Sequence, residues 1–349
     1  MPYHCATVMF IRVNCFLLML LLSLVTFKVK GQWQCPDPED IKPCHCLHYN
    51  VSSPVMDLDC SQVNTSAQLR NVFTQNFPTK EMRNFKMHDN PYITVVEDGL
   101  FEDVTFQEIS FKWGHVFEVQ PNAALPSRER LESYEFTDNW LSSFPFEIIP
   151  DYTSLTHVWL SNNNLSLIPQ IQSESLTYLN LGSNPLLPLS LDVFSSLPKL
   201  EWIDLGSTGL TDIPSGLFSN NPLLKHIAVD RNLFTNLASD TLACGSGCQD
   251  IERITLIFGQ LQTLDPGALP AVSGLLVDLS NNYITELPQE VWKPILKANV
   301  TVRITDNPLS CGCDIAWLVR DSSLSMAPQA ECADGQTVDQ LKPEDFENC

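Results

Sequence analysis

The residues best equipped for chemistry in this sequence are cysteines and histidines. Cys44, His45, Cys46 and His48 fall within five residues. Thiolates and imidazoles at that spacing could hold zinc, or the thiols could enter disulfides, which is the expected state outside a cell. Cys244 and Cys248 bracket Gly245-Ser246-Gly247. They could form a redox pair, but no adjacent His or Lys is present to lower a thiol pKa. The two glycines permit a tight bend, so a local disulfide pinning an inserted loop is expected. His157 and His226 could act as general bases if the fold set them beside Asp204 or Asp230. There is no H-E-x-x-H, no G-x-S-x-G, no phosphate loop and no dinucleotide fingerprint. No metal and no cofactor are expected, and the chain reads as non-catalytic.

Whether those groups can meet depends on an element that recurs along the chain. Leu155 to Pro169 reads LTHVWLSNNNLSLIP and fits L-x-x-L-x-L-x-x-N-x-L-x-x-(I/L)-P. Val158 and Leu160 alternate at the two-residue period of a strand, so both point inward. Asn163 stands where the chain must turn, and its amide can bond backbone groups that the turn leaves without partners. The turn position recurs at Asn90, Gly114, Asn139, Asn163, Asn184, Thr208, Asn232, Gly259, Asn282 and Asn307, at intervals of 21 to 27 residues. Leucine-rich repeats have periods of about 20–29 residues. One coil cannot bury its apolar face alone and must stack on copies of itself. The fold class is therefore an α/β leucine-rich repeat solenoid of about ten coils. A parallel sheet should line its concave face, with loops or short helical turns on the convex side and disulfide-closed caps at both ends.

The 349 residues are 44% hydrophobic and 17% charged, a globular composition. Arg12 precedes an apolar run from Phe16 to Phe27, too short to span a bilayer and suited to a signal peptide cleaved after Gly31. Residues 1–31 carry Arg12, Lys28 and Lys30 and no acid, so the formal charge of −21 becomes −24 on cleavage. Such a surface repels nucleic acid and anionic membrane. It keeps an extracellular protein soluble, or it favours a basic partner. No later run has the roughly 18 apolar residues of a membrane span, and no hydrophobic tail suits a lipid anchor. A secreted protein without membrane insertion is expected.

Cys5 and Cys15 leave with the leader, and ten cysteines remain. Cys35, Cys44, Cys46 and Cys60 precede the first repeat; Cys311, Cys313, Cys332 and Cys349 follow the last. A solenoid's open ends must be covered, and caps of this size hold too little core to stand without crosslinks. The expected order is signal peptide 1–31, N cap 32–80, repeats 81–310 and C cap 311–349. Thr65 to Phe77 should form a short amphipathic helix, capped by Thr65 or Ser66, ended by Pro78 and packed on the N cap. The pairs Leu100-Phe101, Val193-Phe194, Leu217-Phe218 and Val291-Trp292 should stack as core behind the strands. Gln289 to Lys297 is expected to form a helical turn or two on that side.

Residues beside the inward pair of each strand should line the concave face. Early coils supply Lys86, His88, Lys112, Trp113 and Glu135; later ones supply His157, Trp159, Tyr178, Asn180, Trp202, Asp204, His226, Asp230 and Arg231. Neighbouring strands lie about 4.8 Å apart, so Trp159, Tyr178, Trp202 and His226 could form one patch. Exposed aromatics with Arg and Asp beside them suit a protein-binding hot spot. The alternative is that strand aromatics simply stack on each other. Asn50, Asn64, Asn164 and Asn299 open N-x-S/T sequons, which accept glycans in a secreted chain. Asn164 should point away from the concave face.

Both flanks resemble the cysteine-rich ends of extracellular leucine-rich repeat proteins: C-P-x(7)-P-C-x-C…C at the start and N-P-L-x-C-x-C…C…C at the end. Sequence alone admits three pairings per cap. The resemblance implies first-to-third and second-to-fourth bonds: Cys35–Cys46, Cys44–Cys60, Cys311–Cys332 and Cys313–Cys349. Four strings are more specific: C-P-D-P-E-D-I-K-P-C-H-C (Cys35 to Cys46), V-M-D-L-D-C-S (Val55 to Ser61), V-F-T-Q-N-F-P (Val72 to Pro78) and V-T-F-Q-E-I (Val104 to Ile109). Together these resemble the non-catalytic leucine-rich repeat subunits of the secreted luciferase of the shrimp Oplophorus and its crustacean relatives. The resemblance implies an extracellular protein partner. In that luciferase a separate small subunit oxidises the luciferin, and the repeat subunit stabilises it. A free recognition or matrix protein that binds glycan, a microbial surface or a receptor is the alternative.

Overall fold

The computed structural model describes residues 34–48, 55–243, 248–321 and 330–349. The expected signal peptide, Asn50 and Cys244 lie outside the described residues. Among the described residues, twelve strands form one sheet. His45–His48 and Met56–Asp59 pair antiparallel at its N-terminal edge. All later strands join in parallel. Ten of them, Glu81–His88 through Thr301–Arg303, come one per coil in sequence order. From Ser133–Glu135 onward each has three residues, with the middle one buried and its neighbours partly or fully exposed. The register carries straight across, so that His157, Tyr178, Trp202, His226 and Arg253 share one row.

The turn after each strand has a common geometry. The residue before the turn position is left-handed in all ten coils, from Asp89 (φ 52°) to Asp306 (φ 55°). Asp and Asn tolerate this conformation, whereas Trp113, Arg231 and Phe258 adopt it against a steric penalty. The turn asparagines then rivet each coil to the one before it. Asn232 donates from Nδ2 to the carbonyls of Leu205 in the previous coil (2.9 Å) and Val229 in its own (3.0 Å). Its Oδ1 accepts the backbone N–H of Leu210 at 3.0 Å. Asn139, Asn163, Asn184, Asn282 and Asn307 likewise donate to a carbonyl of the preceding coil. Gly114 and Gly259 occupy this position where a side chain has no room. A Cβ at Gly259 would stand 2.7 Å from Asn282 Oδ1.

Behind the strands, all four apolar pairs are buried. Phe194 and Phe218 from consecutive coils stack nearly parallel, centroids 6.2 Å apart. Gln289–Lys297 is an α-helix that buries Val291, Trp292, Ile295 and Leu296. The N-terminal helix is shorter than expected, Ser66–Phe73. Thr65 caps it by accepting the Gln68 N–H. It stops well before Pro78, because Thr74 donates both its N–H and its hydroxyl to the Asn71 carbonyl and closes the last turn. Its Phe73 ring packs on Phe85, Phe101 and Phe106 of the first two coils.

In the N cap, Cys35 is bonded to Cys46 and Cys44 to Cys60; in the C cap, Cys311 is bonded to Cys332 and Cys313 to Cys349. Cys248 is disulfide-bonded as well. Asp57 joins the N cap to the first coil. It is wholly buried, and Arg83 grips both its oxygens at 2.8 and 2.7 Å, with Lys86 at 3.3 Å. Burial pushes its pKa up, but the hydrogen bonds and charge of Arg83, joined by Lys86, outweigh that and hold it below the usual 3.8.

Candidate functional site

The outward face of the sheet brings five rings together, four at one strand position and Trp159 at the next outward position. His157 and Tyr178 stack with centroids 5.6 Å apart, Trp159 and Tyr178 lie at 4.0 Å, Tyr178 and Trp202 at 5.5 Å, and Trp202 and His226 at 4.5 Å. The parallel register causes this, because residues at one strand position in successive coils sit side by side. Trp202 is the most open of them, 37% exposed; the others are half-buried by their neighbours. Stacking holds each ring against its neighbour, so the row is ordered in advance of any contact.

Polar groups flank the rings on both sides. In the early coils, Ser110 Oγ donates to Glu135 at 2.9 Å, Lys112 pairs with Glu135 at 2.8 Å, and His88 Nε2 lies 3.0 Å from Ser110 Oγ. Beyond the rings stand Asp204, Asp230 and Asp278. Burial raises the Asp204 pKa above its usual 3.8, the Gly206 N–H lowers it, and the Asp230 charge raises it again. Burial also raises that of Asp230, against hydrogen bonds from Ile257 and Thr255 and the charge of Arg231, with Asp278 adding to the rise.

The expected site residues divide into two sets. His157, Trp159, Tyr178, Asn180, Trp202, Asp204 and His226 sit on the strands. Asp230 and Arg231 lie past the end of His226–Ala228, in the turn. There Asp230 accepts the Ile257 N–H at 2.8 Å, and the Arg231 guanidinium lies 5.0 Å from the Phe258 ring. Trp113 also falls in a turn rather than on its strand, for the same reason: it is the left-handed residue. His157 is bonded to Thr156 (2.8 Å), and His226 pairs with Glu252 (3.5 Å); neither imidazole is bonded to Asp204 or Asp230. Burial lowers the His226 pKa below 6.5, Glu252 partly restores it, and Arg253 and Lys225 depress it further. Cys44, Cys46 and Cys60 are spent on disulfides, which leaves no thiolate beside His45 for zinc. Glu252 and Arg253 were not among the expected site residues. Counting back from Gly259 would have found them, since that coil lacks the asparagine that marks its register.

The Leucine Rich Repeat family matches residues 154–173. The Oplophorus-luciferin 2-monooxygenase non-catalytic subunit of Oplophorus gracilirostris is 30% identical over 315 residues, covering 89% of this chain and 87% of that protein. The chain belongs to that subunit's family. Among solved structures, a chain of the octameric complex of Latrophilin 3, Unc5D and FLRT2 is similar with TM-score 0.66 at 22% identity, over 80% of this chain and 86% of that one. A chain of the TLR13–ssRNA13 complex is similar with TM-score 0.54 at 15% identity, over 78% and 35% respectively. These two likenesses establish the solenoid fold for this member of the luciferase-subunit family. No helix among its described residues is long and apolar enough to cross a membrane.

The acidic row gives a signed pH dependence. A carboxyl whose folded pKa lies above its unfolded value adds stability below the unfolded pKa and loses it as pH rises through the folded one. Asp204 and Asp230 are of this kind. Asp204→Asn, which keeps the acceptor for Gly206, should therefore raise stability at neutral pH. The gain should shrink as pH falls through the raised folded pKa toward 3.8, the ordinary aspartate value, and be lost below it. Urea unfolding of both proteins across that window measures it. A gain of equal size on the acid side would mean that ionisation of Asp204 is not the cause.

Proposed function

We propose that this chain is a secreted, non-catalytic binding subunit that holds an extracellular protein partner on its concave face. In this reading residues 1–31 are the leader, 32–80 and 311–349 the caps, and 81–310 the repeats. His157, Trp159, Tyr178, Trp202 and His226 form the apolar centre of the interface, with Asn180, Asp204, Asp230 and Arg231 around it. The observation that carries the reading is the contiguous ring row on the outward face of the sheet. Rigid aromatic anchors ringed by polar groups are how a few residues come to dominate a protein interface. The relative's description as a non-catalytic subunit favours a small catalytic partner.

Mass spectrometry of what co-purifies from native extracellular fluid identifies the partner. A stoichiometric small secreted protein supports a subunit; a chain that elutes alone favours a free recognition protein. With the partner in hand, Trp159→Ala and Trp202→Ala should each weaken binding by more than about 2 kcal/mol. Unchanged affinity in both would remove the ring row from the interface.

A further inference from the structure

A second group of rings stands at the edge of the solenoid, just past the turns. His115, Trp140 and Asn164 each follow a turn position, in three consecutive coils. They share a register: the Trp140 N–H donates to the Val116 carbonyl at 2.9 Å, and the Asn164 N–H donates to the Leu141 carbonyl at 2.8 Å. His115 stacks on Trp140 with centroids 3.9 Å apart and planes 16° apart. One face of the indole is therefore covered by the coil before it. The other face looks toward the coil after it, which carries Asn164. Trp140 is nonetheless 58% exposed. A depression of about 510 Å³ lies there, lined by Asp138, Asn139, Trp140, Asn162, Asn163 and Asn164.

Asn164-Leu165-Ser166 is a sequon, and Asn164 is exposed. Leu165 is buried, with its N–H held by Asn184 Oδ1 at 3.0 Å, so the backbone under the sequon is fixed. A pyranose ring has an apolar C–H face that packs on an aromatic plane, and an edge of hydroxyls that needs polar partners. The depression offers both, an indole face and the side chains of Asp138 and Asn162.

We propose that Asn164 carries an N-linked glycan whose first N-acetylglucosamine packs on the open face of Trp140 and fills this depression. The bond forms between Asn164 Nδ2 and the anomeric carbon of a lipid-diphosphate-linked oligosaccharide. The anomeric C–O bond breaks, the lipid diphosphate leaves, and the amide gives up one proton. The glycan then shields an indole that would otherwise be an apolar liability at this edge. It leaves the ring row on the strands open to the partner. The inference rests on the secreted reading only in that the chain must enter the compartment where glycans are attached.

The test is glycopeptide mass spectrometry of the full chain secreted from insect cells, combined with hydroxyl-radical footprinting of its tryptophans. Asn164 should be occupied. Trp140 should be oxidised several-fold more slowly in the glycosylated protein than in Asn164→Gln or Ser166→Ala, with Trp113 unchanged as the internal control. Trimming the glycan to its first sugar should keep the protection. An unmodified Asn164 overturns the proposal, and so does Trp140 oxidation that is equal with and without the sugar. A host leader placed ahead of the full chain separates the two readings. If only that version is secreted, the chain's own leader is refuted, and the Asn164 glycopeptide still decides this proposal.

Discussion

Replacing Asn232 with alanine is expected to lower the unfolding free energy by about 3–5 kcal/mol, because several buried polar groups lose their partner at once. Asn232 is buried. Its Nδ2 serves the carbonyls of Leu205 and Val229, and its Oδ1 serves the Thr208 N–H, the Thr208 hydroxyl and the Leu210 N–H. Each buried group left unsatisfied costs about 1–3 kcal/mol, less where water can enter. Asn163→Ala should cost less, since that side chain is only half-buried and water can replace it. Urea unfolding of both variants measures the difference. A loss below about 1 kcal/mol for Asn232→Ala would mean that the turn amides do not tie the coils together. Filling the two glycine positions is no remedy. At Gly114 a Cβ would come within 2.8 Å of Asn139 Oδ1 and 3.0 Å of the Asn90 carbonyl. The rivet from the next coil already occupies that space.

Cys313→Ser should be the most damaging change in the C cap, at about 2–5 kcal/mol. The Cys313–Cys349 bond closes a loop with a sequence separation of 36 residues. It holds the chain end against the short helix Ala316–Arg320, where Arg320 donates to the Phe346 carbonyl at 2.7 Å. That helix sits over the last coils, with Trp317 Nε1 donating to the Leu287 carbonyl at 2.8 Å. Opening the loop frees the buried Phe346 and uncovers apolar surface at the end of the solenoid. The unpaired Cys349 thiol should also yield disulfide-linked dimers on a non-reducing gel. A variant that secretes, stays monomeric and melts like the parent would show that this bond does not hold the cap.

The luciferase-subunit family membership bears on the partner, and the ring row bears on where that partner sits. These are separable. The tryptophan substitutions test the surface whatever the partner proves to be, and co-purification tests the partner whatever surface it uses.

The sequence alone was enough for the solenoid, because a repeat writes its register into the chain. Seven asparagines from Asn90 to Asn307, with Gly114, Thr208 and Gly259 at the other three positions, mark the turns, and the apolar residues at period two name the strand faces. The ring row was legible for the same reason: strands in parallel register put equal positions side by side. Three features needed the tertiary structure. Asp230 and Arg231 leave the strand because the residue before each turn is left-handed, which no residue type in the coils announces; Trp113 and Phe258 adopt it too. Asp57 reads as a surface acid, and only the fold brings Arg83 and Lys86 onto it from 26 and 29 residues away. The stack of His115 on Trp140 beside Asn164 likewise needs three coils in contact. Short-range pattern decides how each coil is built; what a side chain touches in the next coil is decided only when the coils pack.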